Sequence, residues 1–229
     1  MGAQSVGQHY RGQLGSEYFA WQSRVGSGSA LLDRWKFQDY AHDNAVIVDF
    51  GCGAGDLLAA LPARRRIGVE PNNDARQAAA AKGLEVFTSA AELPREVADV
   101  VISNHALEHT LHPVSELRAL RQALKPNGKL VIWLPLDDWH RYRDSETHDF
   151  SKDINHHLYT WTPLNLFNLL QEAGLRPMRV RVVSHAWPKG FRFFYKWMPK
   201  RVFAVLARIM AILAHRHQVM AIGYRDPAD

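Results

Sequence analysis

Short apolar runs rich in valine and isoleucine alternate with stretches whose apolar residues recur every three or four positions, from about residue 44 to the end of the chain. The runs predict strands at 45–50, 65–70, 84–87 and 98–103, with helices from about 55 and over 73–82. Leu117, Leu120 and Leu124 share a face, which predicts a helix from His105 to Leu124 closed by Lys125-Pro126-Asn127-Gly128. A strand over Lys129–Leu136 follows, then a loop over 137–159 rich in histidine, aspartate and aromatics. Loops this long are usually functional. Thr162 as N-cap and Pro163 in the first turn open a helix that stops at Gly174. Leu175–Val183 and His217–Tyr224 read as the last strands, with an apolar helix over Val202–Ala214 between them. This alternation predicts an α/β fold: a mostly parallel sheet with helices on both faces. Residues 1–43 read as a helical cap, with an aromatic stretch at Ser16–Arg24, a Gly26-Ser27-Gly28 hinge and a helix over Ala30–Tyr40.

The junction of the first strand and helix carries the clearest chemistry. Val46-Ile47-Val48-Asp49 runs into Phe50-Gly51-Cys52-Gly53-Ala54-Gly55-Asp56, and the next strand ends in Glu70-Pro71. The dinucleotide fingerprint Gly-x-Gly-x-x-Gly would need a glycine where Asp56 stands. An acid there would repel a diphosphate, which seeks bare N–H groups at a helix start. S-adenosylmethionine has no phosphate and carries a sulfonium and an ammonium. It suits a loop in which Gly51, Gly53 and Gly55 let the backbone approach and Asp49 offers negative charge. Glu70 then accepts hydrogen bonds from both ribose hydroxyls, which takes two carboxylate oxygens.

With 47% apolar residues the 229-residue chain can bury a full core without staples. Its single cysteine, Cys52, excludes an internal disulfide framework, and Met1–Leu14 lacks the apolar core of a secretory signal, so a cytoplasmic location is expected. The net charge of +5 is unevenly placed: Ala173–Arg225 holds 11 basic residues and no acid. Such asymmetry points to an anionic partner or surface.

The Asp49–Gly55 loop, Glu70-Pro71, Ala98-Asp99-Val100-Val101-Ile102-Ser103-Asn104 and Leu124-Lys125-Pro126-Asn127-Gly128-Lys129-Leu130 together resemble the class I S-adenosylmethionine-dependent methyltransferases over about residues 44–183. The resemblance implies a Rossmann-like seven-stranded sheet in the order 3-2-1-4-5-7-6 with the last strand antiparallel. It also implies a methyltransferase domain over 44–229, carrying a basic aromatic helical insertion at 186–216. Relatives often place an aspartate after strand 3 to meet the adenine amino group. Ser89 stands there in this chain, so its assignment, like those of Cys52, Pro71, Asn104 and His105, rests on position in the family pattern. In the cap, Tyr18, Trp21 and Arg24 are candidates to close over the cofactor, with Arg24 paired to its methionine carboxylate.

Methyl transfer is a direct displacement, in which a protein aligns the acceptor and excludes water. An alcohol acceptor also benefits from a base titrating near working pH, which makes His105, His109, His156 and His157 the catalytic candidates. On a helix His105 and His109 would share a face with Glu108 beside them. The quinone-biosynthesis O-methyltransferases resemble this stretch, and carry Glu-x-x-Glu-His there as a magnesium site. Here His105 replaces the first acid, which weakens the oxygen-rich case for magnesium, and no metal is expected.

The acceptor expected first is a small molecule, a sugar or a lipid-linked glycan, since the chain resembles methyltransferases of bacterial cell-surface polysaccharide assembly; a quinone-type phenol at a membrane surface is the alternative. A cofactor-binding partner protein without catalysis is the third reading. Residues 186–216 interleave basic and aromatic residues ahead of a helix too short to span a bilayer. They suit an anionic membrane surface, a dimer contact or packing on the sheet edge. They hold no nucleic-acid reading module, so no nucleic-acid partner is expected.

Overall fold

The structure, a computed structural model, describes residues 8–136, 156–185, 195 and 197–227. Strands β1 (Val46–Phe50), β2 (Arg65–Val69), β3 (Glu85–Phe87), β4 (Ala98–Asn104), β5 (Leu124–Pro135), β6 (Arg176–Ser184) and β7 (His217–Tyr224) form one sheet in the order β3-β2-β1-β4-β5-β7-β6. The first five pair in parallel, while β7 runs antiparallel between β5 and β6, as the family resemblance implies.

Both faces of the sheet are covered, and the period of two along each strand sorts its residues between two cores. Val46, Val48 and Phe50 of β1 join Leu130, Ile132 and Leu134 of β5 against Leu117 and Leu120 of helix α4 (Pro113–Ala123) and Leu166 and Leu170 of helix α5 (Pro163–Glu172). Ile47, Val131 and Trp133 face the opposite way, onto Leu57, Leu58 and Leu61 beside the short helix α2 (Asp56–Ala59) and Ala79 of helix α3 (Asn73–Ala80). Helix α5 starts where Thr162 and Pro163 predict. The Thr162 hydroxyl accepts from the Asn165 N–H, and the Asn165 side chain accepts from the Thr162 N–H in return.

Three expectations differ from the structure. One helix, α1 (Gly12–Asp33), runs through the glycines expected to hinge at 26–28, and two short 3₁₀ turns, at Arg34–Lys36 and Gln38–Tyr40, replace the second cap helix. Helical geometry imposed from both sides absorbs the roughly 1 kcal/mol that each glycine costs there. The helix expected over His105–Leu124 begins only at Pro113. His105 takes a left-handed conformation (φ 55°), and a 3₁₀ turn at Leu107–His109 precedes an N1 proline. The helix expected from about 55 amounts to four residues. The loop positions 137–155 and the segments 186–194 and 196 lie outside the described residues, so Asp137, Asp138, His140 and His148 do as well.

The cap is tied to the sheet by a buried lysine. Lys36 Nζ sits 3.1 Å from Asp33 Oδ1 and donates to Asn104 Oδ1 and Gln218 Oε1, each at 2.9 Å. It also lies 5.1 Å from the centre of the Trp133 ring. Burial lowers the Lys36 pKa, opposed by the Asp33 charge and hydrogen bond. A single ammonium thus links α1 to β4 and β7. Lys36→Met orphans a carboxylate and two amide oxygens together, and should cost about 3 kcal/mol of stability in urea unfolding. A loss below about 1 kcal/mol would mean the network does not hold the cap.

Candidate active site

At the carboxyl ends of β1, β2 and β4 the structure opens a cleft of about 670 Å³. Its floor comes from Phe50, Gly51, Val69, Glu70, Pro71 and Ala90, and its far wall from Tyr10, Tyr18, His105, Ala106 and His109. Clefts of this kind, outside the carboxyl ends of parallel strands, are where such sheets take ligands.

The glycine loop turns because its three glycines adopt positive φ, 77° at Gly51, 53° at Gly53 and 77° at Gly55. A methyl group at Gly51 would collide with Ala106 Cβ, so this glycine also sets how closely β1 and β4 end together. Glu70 is held by the same loop: its Oε2 accepts from the Gly53 N–H at 3.0 Å and its Oε1 from the Asn72 N–H at 2.8 Å. Each oxygen keeps a second lone pair, which leaves the two acceptors a ribose diol requires. Burial raises the Glu70 pKa, partly offset by the two N–H bonds.

Asp49 lies beneath the loop rather than in the lining, almost fully buried, and its pKa is pushed up to about 7 by burial and then by the Glu70 charge. Cys52, Gly53 and Gly55 likewise shape the loop from outside the lining, and the Cys52 thiol is packed against Gly68, where an added Cβ would meet Sγ at 2.5 Å. Ser89 lines the cleft, its hydroxyl oxygen accepting from the Ala91 N–H at 3.2 Å. Asn104 is turned to Lys36 and Asp33 instead. Trp21 backs Tyr18 at 5.8 Å between ring centres without lining the cleft, and the Arg24 side chain lies outside the described residues.

Four histidines were candidates, and the structure gathers them unequally. His105 lines the cleft about one-third exposed, with Nδ1 3.4 Å from Glu108 Oε1. His109 Nε2 is 3.9 Å from the same oxygen, and its Nδ1 is 2.6 Å from the Tyr10 hydroxyl. They meet around Glu108 through the irregular turn, not along a helical face. His157 stands 4.9 Å from His109 between ring centres, whereas His156 stacks on His9 at 4.6 Å. Burial and then the opposing Glu108 charge leave His109 at about 4, so it is neutral at physiological pH. Burial would raise Glu108, but the His105 contact and the two imidazoles outweigh it and its pKa falls below the usual range.

Sequence reasoning missed Tyr10, Gln22, Thr88 and Glu116 in the lining. Tyr18, expected to close over the cofactor, lines the cleft. Its hydroxyl is pushed up to about 12, by burial first and then by Glu70 and Glu108.

This sheet order, glycine loop and acid after β2 define a class I S-adenosylmethionine-dependent methyltransferase fold. A family described as methyltransferase domain matches residues 28–180, and the chain belongs to it. The ubiquinone biosynthesis O-methyltransferase of Ruegeria pomeroyi is 33% identical over 157 residues, covering 58% of this chain and 60% of that protein. The protein of that name from Cereibacter sphaeroides strain KD131 is 29% identical over 194 residues, 72% of this chain and 75% of its own length. A methyltransferase of Haloferax volcanii, in complex with the activator Trm112, superposes with a TM-score of 0.63 at 17% identity, covering 92% of this chain and 98% of that one. Phosphoethanolamine N-methyltransferase 2 of Haemonchus contortus, in complex with S-adenosyl-L-methionine, gives 0.62 at 13% identity over 96% of this chain and 59% of that one. S-adenosylmethionine is the cofactor.

Placing a cation beside Asp49 favours its ionised form. Below about pH 7 the free protein holds a proton there that the complex gives up, so affinity should rise with pH up to about 7 and then level. Calorimetry at pH 7 in buffers of different ionisation enthalpy should show proton release on S-adenosylmethionine binding, and Asp49→Asn should abolish it. Equal release from both proteins would assign the proton to another group.

Proposed function

We propose that this chain is an O-methyltransferase acting on a phenolic hydroxyl, with His105 taking the proton and Glu108 orienting His105. The observation that carries the reading is the His105–Glu108 contact at 3.4 Å, opening on a cleft with Tyr10 and Tyr18 in its wall. A base fixed by a buried carboxylate is what a weakly acidic hydroxyl needs, and the aromatic wall suits a flat ring better than a sugar. The names of the quinone-pathway relatives support the same acceptor class. Bound S-adenosylmethionine supplies the electrophilic methyl group. Glu70 and the glycine loop hold its nucleoside end, and Tyr10 and Tyr18 screen water from the acceptor side. As the new carbon–oxygen bond forms and the carbon–sulfur bond breaks, the hydroxyl proton passes to His105.

A lipid-borne acceptor fits the outer face of helix α6 (Lys200–Leu213). Phe203, Ala207 and Ala211 are buried along one stripe, while Val202, Val205, Leu206, Ile209, Met210, Ile212 and Leu213 are exposed on the opposite side. Trp197 just ahead is 79% exposed, and Lys200, Arg201, Arg208 and Arg216 accompany the face in an acid-free stretch. No helix among the described residues is long and apolar enough to cross a membrane. An apolar face with basic flanks suits the surface of an anionic bilayer, peripheral to its inner side, more than a second basic copy of itself.

His105→Gln should lower the methyl-transfer rate at least about 100-fold while S-adenosylmethionine affinity stays within about threefold. An unchanged rate would remove His105 as base. In a labelled-methyl screen, catechol-type phenols should accept and lipid-linked glycans should not; transfer to glycans alone would overturn the phenol reading, and transfer to nothing would favour a non-catalytic partner protein. Sedimentation with phosphatidylglycerol vesicles should retain the protein at low salt and release Ile209→Glu/Leu213→Glu. Binding equally well to neutral vesicles, or a dimer broken by the same substitutions, would overturn the anionic-membrane assignment.

A further inference from the structure

Glu108 is a buried acid set against two imidazoles. Its side chain is fully buried, and among the described residues neither carboxylate oxygen has a hydrogen-bond partner, the His105 and His109 rings standing 3.4 and 3.9 Å from Oε1. An ionised carboxylate in that state costs several kcal/mol unless a positive charge stands against it. The groups nearest to it are imidazoles, which are ligands as well as bases. A Glu108 oxygen, a ring nitrogen of His109 and a ring nitrogen of His157 all lie within 4.8 Å of one another.

Their meeting is built into the backbone. The Glu108 carbonyl accepts the N–H of Leu158 at 2.9 Å and of Tyr159 at 3.3 Å, which clamps the segment carrying His157 onto the turn carrying Glu108 and His109. The Tyr10 hydroxyl lies 2.6 Å from Nδ1 on the other side of the His109 ring, while Nε2 stands 3.9 Å from Glu108 Oε1. That is the arrangement in which a ligating histidine is oriented by a partner on its second nitrogen.

We infer that Glu108, His109 and His157 form a site for a zinc-class divalent cation, not for magnesium. Magnesium asks for a near-octahedral shell of oxygens, and this cluster offers one carboxylate and two ring nitrogens. The residue that stands where an oxygen-rich site would place another acid is His105. One carboxylate with two imidazoles is a donor set that borderline transition metals hold at about 2.0–2.2 Å, so ligands sit roughly 3.3 Å apart around the ion. From separations of up to 4.8 Å the three ligand atoms need to close by at most about 1.5 Å, within the reach of rotations about their χ angles. The site shares Glu108 with the proposed methyl transfer, where that carboxylate orients His105, and borders the same cleft through His109, but the inference rests on none of the transfer steps.

The test uses the full chain, purified without a histidine tag and stripped with chelator, titrated by calorimetry with zinc chloride and separately with magnesium chloride. One zinc per chain should bind at least 100-fold more tightly than magnesium, and cobalt(II) loaded in its place should show visible absorption bands. His157→Ala, which changes an exposed side chain and spares the fold, should weaken zinc at least tenfold. Glu108→Gln should do the same, and His215→Ala, far along the chain, should change nothing. Magnesium binding as tightly as zinc, no stoichiometric binding, or zinc affinity indifferent to His157→Ala would overturn the inference. Measuring S-adenosylmethionine affinity on the same samples separates the two readings: a chain that holds zinc and not the cofactor refutes the proposed function and leaves the metal site standing.

Discussion

Keeping negative charge out of water is the constraint on which this structure turns. Asp49, Glu70 and Glu108 are buried at or just beyond the carboxyl ends of neighbouring strands, and each requires compensation that the chain brings from elsewhere. Glu70 is satisfied by two backbone N–H groups, one from the glycine loop and one from the start of α3. Asp49, pushed up by burial and the Glu70 charge, holds its proton to about pH 7. Glu108 is left to imidazoles. A cleft lined by Glu70, with Asp49 and Glu108 buried behind its lining, is predisposed toward a cationic ligand, and the sulfonium donor of the family is one.

The cap completes what the sheet begins. Tyr10 and Tyr18 come from the first residues described and meet edge to face at 4.9 Å, with Tyr10 reaching His109. The base of α1 is fixed by Lys36 to β4 and β7, so the helix is a strut between the sheet and the aromatic wall. The irregular turn after β4 has a matching function. Its left-handed His105 breaks the strand without starting a helix, and that lets two histidines converge on one carboxylate.

The positions of β1, β4 and β7 were legible because their apolar runs are buried on both faces, a pattern few other structures produce; β7 begins and ends where the sequence predicts it. The glycine loop and Glu70 were legible because their chemistry is local: a turn needing positive φ, and an acid at a strand end. What escaped was long-range. Nothing near Lys36 announces a buried ammonium, since its partners Asn104 and Gln218 lie 68 and 182 residues away. Asn104 was credited to the cofactor for the same reason: its position fits the family pattern, but its amide is taken by the cap. The helical periodicity of Leu117, Leu120 and Leu124 was real, and extending it back to His105 ignored Pro113 as the natural first residue.

The insertion of β7 between β5 and β6 has a consequence for how the chain comes off the ribosome. Until residues 217–224 emerge, β5 presents an open edge and β6 has no neighbour to pair with, since β6 bonds to β7 alone. Five parallel strands and the glycine loop can assemble from the first 135 residues, but the sheet stays unsealed through the synthesis of the whole basic stretch. Unpaired strand edges are where nascent chains associate wrongly. A run of like charge beside that edge, with no acid to attract a second copy, keeps emerging chains apart by repulsion until the last strand closes the gap.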